Sequence, residues 1–198
     1  MKKISYQGEL GAYSHLACIE AMTDYETVPC RTFEAALNCV REDKADLAMI
    51  PVENSVAGRV ADIHYLLGDY DLKIYAEHFQ EVKHQLLAKK GTTIDEIKFV
   101  RSHSMAIGQC QSAIQKLNLT PIVMADTAGS AKHISEIGTN EDSAIASHLA
   151  AEIYGLEILK SDIQDMKHNT TRFLIMSKGA QQESCLLYTS PSPRDGLL

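Results

Sequence analysis

The sequence predicts an α/β fold of two lobes that face each other across a cleft. Short runs rich in Ile, Val and Leu alternate with stretches of helical periodicity, the pattern of strands covered by helices. The alternation falls into two similar halves. Between them lies an extended stretch from Leu72 to Ala88 that is too long and too polar for one ordinary strand, and it reads as a crossover between lobes. With 198 residues, 45% of them hydrophobic and 23% charged, the chain can bury one or two modest cores.

In order, a strand at Lys3–Tyr6 leads into a helix over Ala12–Met22, and a strand at Glu26–Pro29 into a helix over Phe33–Arg41. The apolar run Leu47–Pro51 is the third strand, followed by a helix over Val60–Leu67 and by extended segments at Leu72–Glu77 and Glu81–Ala88. The second half repeats the pattern. Its strands are placed at Lys98–Arg101, Thr120–Met124, Ser143–Ala146 and Leu156–Ile163, and its helices over Met105–Leu117, Thr127–Ile137 and His148–Tyr154. A polar loop from Asp165 to Asn169 then feeds the apolar strand Thr171–Ser177, which is expected to return to the first lobe. This gives one unit over 1–177, with lobe one at 1–77 plus 165–177 and lobe two at 78–164. Residues 178–198 lack any useful period and end in Ser, Pro, Gly and Asp, so they are expected to be a non-native or disordered tail.

Composition removes several function classes. The net charge of −7, with no basic run, argues against a nucleic-acid partner. The opening MKKISYQGEL turns polar too soon for a secretory signal, and the expectation is a cytoplasmic protein with no membrane partner. Five cysteines form no CxxC pair, and the histidines form no HxxxH or HxH pattern, so neither a metal nor a redox role is expected. His64, His78, His84, His133 and His148 read as surface or packing residues. GxGxxG, the P-loop pattern and the GxSxG elbow are all absent.

Ligands of open α/β sheets sit beyond the carboxyl ends of the strands, where helix N-termini offer unpaired N–H groups. The residues after the strands here are Gly8 to Ser14, Glu53-Asn54-Ser55, Ser102-His103-Ser104 and Asp126-Thr127. Each cluster supplies hydroxyl, amide or capping groups suited to an anion. The same residue types are also the ordinary N-caps of helices, and only convergence on one cleft favours a site. A further cluster is His168-Asn-Thr-Thr-Arg-Phe173, where an arginine enters an apolar strand. Arg172 invites a carboxylate through its planar fork, and a surface salt bridge is the equal alternative.

Taken in order, Gly8-x-x-Gly-Ala-Tyr-Ser14, Pro51-Val-Glu-Asn-Ser55, Ser102-His103, Gln109-Cys110, Asp126-Thr-Ala128, Ala144-Ile-Ala-Ser147 and Asn169-Thr-Thr-Arg-Phe173 resemble the prephenate dehydratases. The resemblance spans residues 1–177. It implies two α/β lobes arranged like those of type II periplasmic binding proteins, with the active site between them. It further implies Thr171 as proton donor and Arg172 as carboxylate anchor. Glu53, Asn54, Ser55, Ser102 and His103 are then expected to line the pocket with Asn169, Ser14 and Thr127. The family commonly shows Pro-Gln after Ser-His, and Ser104-Met105 stands here instead.

The activity so implied is loss of CO2 and hydroxide from prephenate to give phenylpyruvate. That loss creates an aromatic ring, so the driving force lies in the substrate and no cofactor is expected. The enzyme need only hold and protonate. Arogenate, with an amino acid side chain in place of pyruvate, is the alternative substrate. A non-catalytic small-carboxylate binding module is the alternative from another class. Family members are commonly homo-oligomers and often continue into a phenylalanine-binding ACT domain. Because Cys185-Leu-Leu-Tyr188 does not match the approach to that domain, no phenylalanine feedback is expected.

Overall fold

The computed structural model describes residues 1–179, apart from the side chains at positions 61, 62 and 64. The chain first lays down β1 (Lys3–Gln7), α1 (Tyr13–Ala21), β2 (Glu26–Cys30), α2 (Phe33–Arg41), β3 (Leu47–Asn54), β4 (Gly58–Arg59), α3 (Ala61–Asp69) and β5 (Lys73–Glu81). It continues through β6 (Gln85–Ala88), β7 (Phe99–His103), α4 (Ser104–Gln109), α5 (Gln111–Lys116), β8 (Thr120–Met124), α6 (Thr127–Ile137), β9 (Asp142–Ala146), α7 (His148–Tyr154) and β10 (Glu157–Lys160), and returns in β11 (Thr170–Ser177).

Two sheets result. The first has the order β2-β1-β3-β11-β5, with β4 paired to β3, and the second has the order β10-β6-β9-β7-β8. In the first, β1 runs parallel to β2 and β3, while β11 inserts antiparallel between β3 and β5. The final strand therefore belongs to the first lobe, as the apolar run after the polar loop suggested.

Side-chain alternation along each strand builds a core on both faces of each sheet. Met49 of β3 and Phe173 and Ile175 of β11 pack with Ala17 and Cys18 of α1. The alternate residues Ala48, Ile50, Leu174 and Met176 pack with Ala36, Leu37 and Val40 of α2 and with Ile63 of α3. In the second sheet Ile145 meets α4 and α5 through Ala106, Ile107 and Ile114, while Ala144 and Ala146 meet α6 and α7 through Ala131, Ile134 and Ala150. Each fully buried Ile, Leu or Phe contributes about 1.5–3 kcal/mol relative to exposure.

Three expectations shift. The β5 strand stays in the first sheet through Glu81, paired with Thr170 of β11, so the crossing to the second sheet lies at 82–84 and not at 77. The helix expected over Met105–Leu117 breaks at Cys110 (φ −124°, ψ 24°). There the Gln109 carbonyl accepts from Asp165 N at 2.7 Å, and the Asp165 carboxylate accepts from Ser112 N at 3.1 Å, so a distant loop takes over the helix's own bonds. The short β4 was not anticipated. Of the expected tail, Lys178 pairs with Asp43 at 2.6 Å, and residues from 180 onward lie outside the described part.

The two crossovers run side by side. Val82 N donates to Asn169 O at 2.7 Å and Ile163 N donates to His84 O at 2.9 Å. Away from them, the loop before α1 presses on α7. Gly11 sits at φ +86°, and a Cβ there would lie 2.7 Å from the Ala150 Cα, so only glycine allows the lobes to approach this closely. Ser147 Oγ donates to Gly11 O, and Tyr154 Oη donates to Leu10 O at 2.9 Å.

Candidate active site

A cavity of about 520 Å3 opens between the lobes. From the first lobe it is lined by the start of α1 (Ala12, Tyr13, Ser14), by Gln7, and by Asn54 and Thr171 on neighbouring strands. From the second come His103, Met105 and Gln109 of the β7–α4 region, with Asp126 and Thr127 at the start of α6. Phe33, Val60 and Val82 supply apolar wall. A larger depression of about 680 Å3 lies at the far end of the first sheet, around Met1–Lys3 and Asp43–Leu47. Its charges pair with one another or with neighbours, as in Lys178–Asp43 and Lys44–Glu42, and it gathers no such set of hydroxyl and amide groups.

The structure brings five of the expected residues to the cleft: Ser14, Asn54, His103, Thr127 and Thr171. Asn169, 1% exposed, stands directly behind them. Ser14 and Thr127 sit in the first turns of α1 and α6, whose N-terminal N–H groups favour an anion.

The remaining four are placed elsewhere, for reasons of strand geometry. Arg172 follows Thr171 on β11 and so projects to the opposite face. There its guanidinium grips Glu77 through two bonds of 2.9 and 3.0 Å, and that carboxylate holds the guanidinium proton more tightly than usual. Glu53 stands opposite Arg172 and Arg59 on the same outer face. Ser102 is fully buried in the second sheet, its hydroxyl donating to Ile145 O at 2.7 Å. Ser55 closes a turn, accepting from Thr170 N at 3.0 Å. Arg172, Glu53, Ser55 and Ser102 thus stand outside the wall of this cavity.

Hydrogen-bond direction in the cleft can be worked out from one fixed point. The Asn54 carbonyl oxygen Oδ1 accepts from Val56 N at 3.0 Å and from Ala57 N at 2.8 Å, so its amide cannot be turned over. Asn54 Nδ2 must then donate, and it reaches Thr171 Oγ1 at 3.0 Å and Asn169 Oδ1 at 2.7 Å. Thr171 Oγ1 is thereby an acceptor within the protein, and its own hydroxyl hydrogen remains free to point into the cleft. Asn169 Nδ2 in turn donates to Gln109 Oε1 at 2.9 Å. Behind Gln109 lies His84, 2% exposed, whose Nε2 is 2.8 Å from the same oxygen. Burial lowers the His84 pKa, against a smaller opposing effect of the Gln109 hydrogen bond, and so favours the neutral ring.

Sequence reasoning missed Gln109 and His84 as members of this wall, while Tyr13 stood inside the Gly8 to Ser14 cluster without a role of its own. Gln109 was visible only inside the Gln109-Cys110 motif, without a role. His84 looked like one packing histidine among several, because nothing local marks the place where two distant crossovers meet. Among the described residues no group of three or more His, Cys, Asp or Glu side chains could hold a metal ion. None of their helices is long and apolar enough to cross a membrane.

Residues 4–181 match the family model described as prephenate dehydratase. The chain is 47% identical over 175 residues to a bifunctional N-acyl-homoserine lactone acylase/prephenate dehydratase of Komagataeibacter europaeus, covering 88% of this chain and 62% of that protein. It is 40% identical over 176 residues to the chloroplastic arogenate dehydratase/prephenate dehydratase 2 of Arabidopsis thaliana, covering 89% and 46% respectively. The chain thus spans about half to two thirds of the length of these curated relatives. Among solved structures, the prephenate dehydratase of Arthrobacter aurescens in complex with L-Phe superposes with a TM-score of 0.85 at 30% identity, over 92% of this chain and 62% of that one. A match of this extent, carried by the same lobes that frame the cleft, places the chain in the prephenate dehydratase family.

Proposed function

We propose that the chain catalyses the decarboxylating dehydration of prephenate to phenylpyruvate in the interlobe cleft. The observation that carries this reading is the Asn54–Thr171 bond, which makes Thr171 Oγ1 an acceptor within the protein and leaves its hydroxyl hydrogen for a group in the cavity that Thr171 lines. In the reaction the bond from the ring to its carboxylate breaks and CO2 leaves. The released electron pair moves through the ring, and the C4 hydroxyl departs as water with a proton. Thr171 donates a hydrogen bond to that departing oxygen. A threonine hydroxyl is too weak an acid to serve alone as a matched general acid, so it relays or shares the proton.

Among the described residues no arginine or lysine lines the cavity. The pyruvyl carboxylate is then held by the first-turn N–H groups of α1, which no side chain caps, with the Ser14 and Thr127 hydroxyls nearest to hand. The absence of a cation suits the ring carboxylate, since an ion pair would stabilise the charge that has to be lost. Among the described residues Asp126 is the only carboxylate of the lining, and it caps α6 by accepting from Gly129 N. That leaves no free acid to meet the amine of arogenate and favours prephenate.

The test is turnover by the purified protein. Prephenate, arogenate and an N-acyl-homoserine lactone are offered in parallel, and phenylpyruvate, phenylalanine and the freed acyl chain are followed. Prephenate consumed ahead of both others is expected. Preferred hydrolysis of the lactone's amide, the activity in the name of the Komagataeibacter relative, would overturn the reading.

A further inference from the structure

We propose that His84 is a positioning residue that locks Gln109 in the one orientation in which its Oε1 accepts from Asn169, and so steadies Asn169 behind the Asn54–Thr171 pair that the backbone N–H groups of Val56 and Ala57 orient. This rests on the dehydratase reading of the cleft. Gln109 Oε1 already accepts from Asn169 Nδ2, so the ring nitrogen 2.8 Å away must carry a hydrogen. A neutral imidazole protonated on Nε2 has a bare Nδ1, and that atom faces Tyr13 Oη at 2.9 Å, a hydroxyl able to donate. Tyr13 also lies edge-on to the ring, with centroids 5.5 Å apart, and its single hydroxyl hydrogen is shared between Nδ1 and Lys83 O, which is also 2.9 Å away.

The backbone of His84 is clamped as firmly as its ring. Its N–H donates to Gln164 Oε1 at 2.9 Å and its carbonyl accepts from Ile163 N at 2.9 Å, so both chain crossovers hold it in place. Were the Gln109 amide turned over, its NH2 would face the Asn169 NH2 and the imidazole N–H together. His84 therefore closes off the flipped state from one side and Asn169 from the other. Without the imidazole hydrogen the Gln109 side chain loses half of that restraint. Asn169 Nδ2 then loses its fixed acceptor, and the support behind the Asn54–Thr171 pair loosens.

The experiment combines kinetics on prephenate with nitrogen NMR of histidine-labelled protein. In the wild type, Nε2 of His84 should carry the hydrogen and Nδ1 should not. His84→Leu is expected to lower kcat about tenfold or more while KM stays within about threefold. His84→Gln, whose amide N–H reaches the place of Nε2–H, should recover most of the lost turnover, and His84→Asn, which reaches only the Nδ1 place, should not. Equal losses in all three variants, or unchanged kcat in His84→Leu, would show a packing residue and overturn the proposal. So would a ring protonated on Nδ1 alone, a measurement that needs no variant to fold. If the wild type turns over no prephenate, the dehydratase reading fails separately, and the ring's protonation still decides whether the hydrogen-bond order stands.

Discussion

Thr171 and Arg172 are covalent neighbours in one motif, yet they meet different surroundings. Thr171 stands opposite Asn54 and Gln80, on the face that opens to the cleft. Arg172 stands opposite Glu53 and Phe79, and its guanidinium is taken by Glu77 at the surface. Adjacency in sequence therefore divides the pair by function, because successive side chains of a strand point to opposite faces. On the cleft side Thr171 answers to a chain of amides that begins at two backbone N–H groups. On the outer side a single exposed ion pair suffices, and such pairs contribute little.

The difference between the faces can be tested by removing one group at a time. The largest effect belongs to Thr171→Val, which keeps the shape and deletes the donor: kcat for prephenate is expected to fall about a hundredfold or more, with Thr171→Ser much milder. Next is Asn54→Asp, which still accepts from the two backbone amides but cannot donate to Thr171 or Asn169. A drop in kcat of about ten- to a hundredfold is expected, with a loss of about 1–3 kcal/mol of unfolding free energy in urea. An unaltered urea midpoint together with full activity would mean that the amide chain organises nothing.

Gly11→Ala should act on stability. The added Cβ meets the Ala150 backbone at a positive φ, and a cost of about 1–3 kcal/mol is expected from thermal or urea unfolding. Acidification should act more gently. Burial lowers the pKa of both His15 and His84 from 6.5. In the unfolded chain they bind protons near that value while the folded rings bind them only at lower pH, so the unfolded state takes up more protons and stability falls as pH drops below about 6.5. A lower urea midpoint at about pH 5.5 than at about 7.5 is expected, with a shallower dependence in His84→Gln. A midpoint that rises on acidification would reverse the sign and contradict the neutral, buried rings. The smallest effect belongs to Arg172→Gln, for which kcat and KM on prephenate should both stay within about threefold.

Much of this was legible in the sequence. Helices α2, α6 and α7 lie where their periodicity put them, and Phe173 to Met176 form a buried strand because an apolar run after a polar loop has nowhere else to go. The hydroxyl and amide residues that follow the strands do converge, as Ser14, Asn54, His103, Thr127 and Thr171 show. What escaped is set by long-range pairing. Whether Arg172 or Thr171 faces the cleft depends on the register of β11 between β3 and β5, which no local pattern carries. Ser102 offers the same hydroxyl as Ser14, but a partner 43 residues away, Ile145, consumes it inside the sheet. His84 gains its place only because residues 163 and 164 return beside it.

The measurement that bears most directly on the account is kcat for prephenate in Thr171→Val and Arg172→Gln, prepared and assayed side by side. The cleft geometry calls for Thr171→Val to be slower than Arg172→Gln by about a hundredfold. Comparable losses in the two variants, or a greater loss in Arg172→Gln, would mean that the arginine leaves Glu77 to meet the substrate and that the two faces of the strand are not divided as described.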